Sequence, residues 1–247
     1  ALGNDAAGSN NFTVNNLTSI DQSIDTCTNN FATFNTLYRS GATFSQGNLQ
    51  YQAPASNPVF GSLTTMAVNS GKWYAEVKYT AGSNHYLILG VADYNFSILG
   101  GLGSTNNDDL GKNGTTGSIA YVVNTGAYRV NNSNTSWGSA GGDGDIIQMA
   151  IDKDNQKIYF GVNGTWGASS NPATGSNGID VSSVLTGDDW FWGVTNDTGA
   201  SETIAEFNFG SPSYSISSGN TDGKGFGNFE YAVPSGYLAL CTNNLNV

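Results

Sequence analysis

Residues 145 to 166 read DIIQMAIDKDNQKIYFGVNGTW, and their alternation leaves little choice of structure. Ile147, Met149 and Ile151 fall on one side of an extended chain, and Ile158, Phe160 and Val162 fall on one side of its return. Between the two runs DKDNQK supplies Asp and Asn, whose short side chains bond the nearby backbone and favour a reversal. Two such strands pair antiparallel with one apolar face, and a second layer must cover that face.

The rest of the central chain repeats the pattern. In GKWYAEVKYTA, Trp73, Ala75, Val77 and Tyr79 share one face, while Lys72, Tyr74, Glu76 and Lys78 share the other. HYLILGVADY is apolar on both faces, which predicts a central strand between two layers. SIAYVVNTGAYRV predicts two short strands around Asn124-Thr125-Gly126, and WFWGVTND and ETIAEFNFG predict two more. Thirty-three glycines and many asparagines suit the turns between short strands, since both tolerate left-handed backbone. The expected fold is all-β, a two-sheet antiparallel sandwich over residues 60 to 212. Its expected core is Trp73, Val77, Leu89, Met149, Ile151, Phe160 and Phe207.

The flanks differ. Residues 1 to 59 are polar, with isolated apolar residues at Phe12, Val14, Leu17, Ile20, Phe31, Phe34 and Leu37. They read as an extended arm that docks those side chains on the sandwich or on a neighbour. Residues 213 to 247 read as a tail returning towards the arm. The tetrapeptide CTNN occurs in both flanks, at Cys27 and at Cys241, and these are the only cysteines. If arm and tail run together, the two are candidates for a disulfide; the alternative is a pair of buried thiols. The chain starts at Ala1 rather than Met, so a processed chain, a fragment and a missing start are all open readings.

Charge and residue types narrow the function. A formal net charge of −11 with eight basic residues repels polyphosphate and anionic membrane surfaces, so nucleic acid is not an expected partner. No run reaches the roughly 18 apolar residues of a membrane span, and membrane insertion is not expected. Nucleophilic catalysis would need a base, and the one histidine, His85, reads as a surface strand residue. Paired carboxylates could make a glycosidase. Glu202 and Glu206 share a strand face without further acids between them, and Glu76 reads as a solvated or paired carboxylate on a lysine-bearing face. GGDGDI resembles a calcium-binding repeat but has Ile146 where Asp is required. Asp108-Asp109 and Asp188-Asp189 are loop pairs that could supply calcium ligands only if their loops converge. The glycines at 100, 101 and 103 lack the Lys-Ser/Thr step of a phosphate loop. No cofactor and no metal are expected, and no catalytic residue is assigned.

GKWYAEV, LGVAD, GDIIQMAIDKDNQKIYFGVNGTW and AEFNFG, in that order, resemble the successive strands of a SPRY (B30.2-like) domain, a concanavalin-like jelly roll. The flanks LGNDAAGSNNFTVNNLTSIDQSIDTCTNNFATFN and GFGNFEYAVPSGYLALCTNNL resemble segments that bracket such modules in structural proteins of tailed bacteriophages. Cys27 departs from that pattern, which has Pro there. The resemblance implies a non-enzymatic virion protein, a tail, fibre or surface component on an extracellular particle. It implies contacts with other copies or neighbouring virion proteins, and with a host-surface glycan or protein. The alternative is a free carbohydrate-binding lectin or glycosidase on the same sandwich.

Recognition is expected in the end loops, which strands hold rigid. Aromatic faces stack on sugars and amides bond hydroxyls, which marks Tyr94, Asn95, Phe96, Asn134, Trp137, Trp166 and Asn171 as candidate binding residues. Trp137 and Trp166 have a second reading, in which they bury against the ends of the sandwich and close its core.

Overall fold

A computed structural model describes residues 3–5, 7–16, 24–54, 61–80, 87–96, 109–112, 117–196 and 202–245. His85, Asp108 and the glycines at 100, 101 and 103 lie outside them. Among the described residues the strands form two antiparallel sheets. In the first, β1 (Phe34–Ser40), β4 (Gly61–Thr64), β14 (Trp190–Asn196), β6 (Leu87–Asp93), β7 (Ser118–Val122), β8 (Ala127–Val130) and β9 (Ser133–Ser136) are neighbours in that order. The second runs β12 (Thr165–Trp166), β11 (Lys157–Val162), β10 (Ile146–Asp152), β5 (Lys72–Tyr79), β15 (Thr203–Asn208), β3 (Gln50–Ala53) and β2 (Thr43–Ser45). Two short strands attach to it: β13 (Ile179–Asp180) on β11, and β16 (Leu238–Ala239) parallel to β5.

The expected hairpin forms in register, with Met149 opposite Phe160 and Asp152 opposite Lys157. Asp152 Oδ1 accepts the Asn155 amide at 3.0 Å and so closes the turn. All seven expected core residues are buried in one cluster between the sheets. Phe160 stacks on Tyr121 across that core, their ring centroids 5.0 Å apart. Strand β6 is buried along its whole length, as its two apolar faces require. Leu87, Leu89 and Val91 enter the main core, while Ile88 and Ala92 pack outside the sheet under Phe96 and Leu110.

Three expectations are corrected. The stretch read wholly as arm gives three strands, β1 to β3, to the two sheets, because Phe34, Tyr51 and Ala53 alternate into the core. The outer face of β5, whose Glu76 reads as solvated or paired, is covered by the tail. Tyr74 packs against Phe229 there, and the lysines that flank it lie over rings, Lys72 over Tyr237 and Lys78 over Tyr214, each at 5.7 Å. Arm and tail do meet: Phe31 bridges Cys241, and the Ala32 amide donates to Leu240 O at 3.0 Å. The disulfide is not made. Both thiols are free, Cys27 exposed and Cys241 buried, and burial pushes the Cys241 thiol up from its ordinary acidity.

Candidate functional site

The expected binding residues separate to opposite ends of the first sheet. Tyr94 follows Asp93, at the end of β6 that pairs with Trp190. Trp137 follows Ser136, whose partner Ala127 is opposite Val122, and Val122 is opposite Ile88 at the other end of β6. Trp137 is buried, and its Nε1 donates to Phe160 O at 2.9 Å. A Cβ on Gly167 would lie 2.3 Å from the Trp137 ring, so glycine is required for this close approach. Trp166 is half-buried on the outer face of the second sheet, edge-on to Tyr74 under the tail. Trp137 therefore closes the end of the core, while Trp166 packs against the tail side of the second sheet. Asn134 is exposed on β9, and exposed Asn171 accepts the Ala173 amide to cap a short 3-10 turn.

The Tyr94 end holds a concavity. A pocket of about 300 Å³ opens on the outer face of the first sheet, lined by Asn35 of β1, Leu63 and Thr64 of β4, Phe191 of β14, and Asp93, Tyr94 and Phe96 at the end of β6. The order β1-β4-β14-β6 brings these distant segments side by side. Phe191 stands opposite Ala92, and Leu63 stands opposite Gly193, which has no side chain to fill the space. Phe96 is buried and forms the inner wall, so of the expected triplet only Tyr94 and Asn95 are open to solvent. Tyr94 is 73% exposed at the rim. Leu37, farther along β1, is 95% exposed.

Asp93 holds the rim in place. Its Oδ1 accepts the Asn95 amide at 2.8 Å and its Oδ2 accepts the Gly187 amide at 2.7 Å. Asn95 Nδ2 also donates to Thr186 Oγ1 at 3.3 Å, which ties the Tyr94 loop to the loop before β14. The Tyr94 ring lies over Gly187, where a Cβ would be 2.7 Å from it. The sole carboxylate in the pocket lining is thus spent on backbone donors, and the remaining surface is neutral and mostly apolar. This arrangement accepts an apolar side group, with Thr64 and Asn35 as polar edges.

The other buried carboxylates serve the fold. Asp109 Oδ2 meets Arg129 Nη2 at 2.7 Å and Lys112 Nζ at 3.3 Å, and Thr195 Oγ1 donates to its Oδ1 at 2.5 Å. Of the two loop pairs weighed for calcium, Asp109 is therefore engaged by protein cations, while Asp188 and Asp189 are exposed. Glu76, expected to be solvated or paired, is fully buried. It accepts Tyr74 OH and the Tyr231 amide, both at 2.8 Å, the Glu230 amide at 2.9 Å and Tyr214 OH at 3.3 Å. Burial is the largest influence on its carboxyl and holds it above the usual range against those four donors. Asp222 accepts the amides of Lys224 and Phe226 through Oδ1, and the Ala239 amide and Asn244 Nδ2 through Oδ2. Two buried carboxylates, Glu76 and Asp222, thus organise a tail with little regular structure of its own.

No family model matches the sequence, and no curated protein matches it. Among solved structures, the SPRY domain of human HERC1 is similar at 15% identity with a TM-score of 0.54, over 70% of this chain and 96% of that one. A second human SPRY domain is similar at 15% identity with a TM-score of 0.47, over 68% of this chain and 95% of that one. The likeness to the HERC1 domain is one of fold: the two antiparallel sheets form a SPRY-type sandwich.

Proposed function

We propose that this chain is a non-enzymatic binding module of a tailed-bacteriophage particle, and that its pocket beside Tyr94 receives an apolar group of a protein partner. The binding reading is carried by one observation: a neutral, apolar concavity is held at the rigid ends of four strands, with an exposed aromatic at its rim. SPRY-type sandwiches commonly serve as protein-interaction modules, and a rigid scaffold with loops at its ends suits that use. The non-enzymatic reading is supported by how the carboxylates are spent. A glycosidase acid must reach its sugar, yet Glu76, Asp93, Asp109, Asp152 and Asp222 are buried with their oxygens engaged inside the fold, while Glu202 and Glu206, the pair weighed for this role, are bonded by Gln52 and Thr80 on the second sheet and do not line the pocket. The virion setting is supported by the resemblance of the two flanks.

A lectin reading is favoured by the neighbouring exposure of Tyr94 and Asn95, an aromatic beside an amide. Purified particles of the encoding phage separate the two readings. The chain is expected to co-sediment with particles in fixed proportion, to release no sugar from host polysaccharide, and to lose particle association on Tyr94→Asp. Saturable glycan binding or polysaccharide turnover by the free chain, with none on particles, would overturn the virion reading.

A further inference from the structure

We infer that the occupant of this pocket is the Phe12 side chain in the N-terminal arm of a second copy of the chain, an inference that rests on the pocket being a binding site. Both halves of the contact are present in one molecule. Phe12 is 78% exposed although it is among the largest apolar side chains of the arm, and Val14, two residues on, is 37% exposed. In extended backbone these two share a face. The Phe12 amide donates to Gly3 O at 2.8 Å, so the arm makes its own local fold and presents the ring outward. The pocket offers Leu63, Phe96 and Phe191 within about 300 Å³. An apolar cavity of about 150 Å³ already takes a benzene ring, so a phenylalanine side chain fits.

Charge selects the arm as the docking segment. A chain carrying −11 repels its own copies, and self-association must proceed through surfaces that add no like charges. Residues 7 to 16, AGSNNFTVNN, have no ionisable side chain. In the pocket lining the one carboxylate, Asp93, is buried and accepts two backbone amides. The side chains that meet are therefore uncharged, with Asp5 beside Asn11 in the arm and exposed Asp188 and Asp189 after Gly187 at the rim as the carboxylates the contact must keep apart. The contact is also heterologous, arm to pocket, so each copy has one of each left over, and the assembly either closes into a ring or extends.

The test is light scattering of the full chain across a concentration series, with each variant's thermal unfolding recorded alongside. Wild type is expected to rise above the 25.8 kDa monomer as concentration increases. Phe12→Asp, which keeps the pocket, and Phe191→Glu, which keeps the arm, should each stay monomeric. Mixed in equal amounts they should form a species of twice the monomer mass and stop there, because only one productive contact is left. Tyr94→Asp replaces Phe191→Glu if the latter fails to fold, since Tyr94 is at the rim and exposed. Wild type that stays monomeric at every concentration overturns the inference, as does Phe12→Asp that associates like wild type. So does a mixture that gives no dimer. Arm docking onto its own pocket would show as protection of Phe12 without concentration dependence, and would equally overturn it. If wild type is monomeric yet Tyr94→Asp loses particle association, the pocket remains a binding site for another partner, and only this inference fails.

Discussion

Replacing Glu76 with Gln probes the device that fastens the tail to the sandwich. The carboxylate takes one backbone amide on each oxygen, Tyr231 on Oε1 and Glu230 on Oε2, and one tyrosine hydroxyl on each. A glutamine has one acceptor oxygen, so its amide nitrogen must face one of the two backbone donors. One buried N–H is then left unpaired, at a cost of about 1 to 3 kcal/mol. Against this, the neutral side chain avoids the burial of a charge, which is the largest influence on the Glu76 carboxyl and lifts it above its ordinary value. The sign of the pH dependence follows. A carboxyl raised in the folded chain binds its proton more tightly than in the unfolded chain. Its contribution is therefore fully present below the ordinary carboxylate value and is lost as pH rises through the lifted one. Glutamine does not titrate. The stability advantage of wild type over Glu76→Gln should be largest near about pH 4 and shrink towards about pH 8. Urea unfolding of both proteins across that range measures it, and hydrogen exchange at the Glu230 and Tyr231 amides reports the latch itself. Parallel pH curves, or amides that exchange alike in both proteins, would refute the reasoning.

Other substitutions test separate parts of the account. Phe160→Ala removes a fully buried ring stacked on Tyr121 and should cost about 3 to 5 kcal/mol in chemical denaturation. Asp109→Asn leaves Arg129, itself nearly buried, without its carboxylate, and a loss of about 3 to 5 kcal/mol is expected for breaking such a pair. A much smaller loss would mean that Arg129 finds water instead. Cys27 should alkylate in the folded chain and Cys241 only after unfolding, both without reductant; a single resistant pair would restore the disulfide.

The inner faces of the sandwich were legible because their alternation is local. Met149 and Phe160 declare themselves within one hairpin, and Trp73 and Val77 within one strand. The outer face of β5 was not, because Lys72, Glu76 and Lys78 are residues that usually meet water, and the cover comes from residues more than 130 positions later. A clue was present in Tyr74, an aromatic among those charges, and in the aromatic-rich run FGNFEYAVPSGYLAL, which needs something to pack on. Strands β1 to β3 were missed for want of a long alternating run, although QYQA does alternate. At the site, Tyr94 and Asn95 stood out as an aromatic and an amide in a loop. Asn35, Leu63 and Phe191 gave no such signal, since only the sheet order joins β1, β4 and β14 to the end of β6. Trp137 carried two readings in the sequence, and its placement matches the one in which it closes the core, its N–H finding Phe160 O inside the sandwich.

Hydroxyl-radical footprinting of the chain, free and on the purified particle, tests most directly whether the pocket is where this module is held. The proposed function predicts that Tyr94 and Phe191 react in the free chain at a concentration where it is monomeric and are protected on the particle, while Leu245, exposed on the tail, reacts in both. Equal reactivity of Tyr94 and Phe191 in the two states would contradict it.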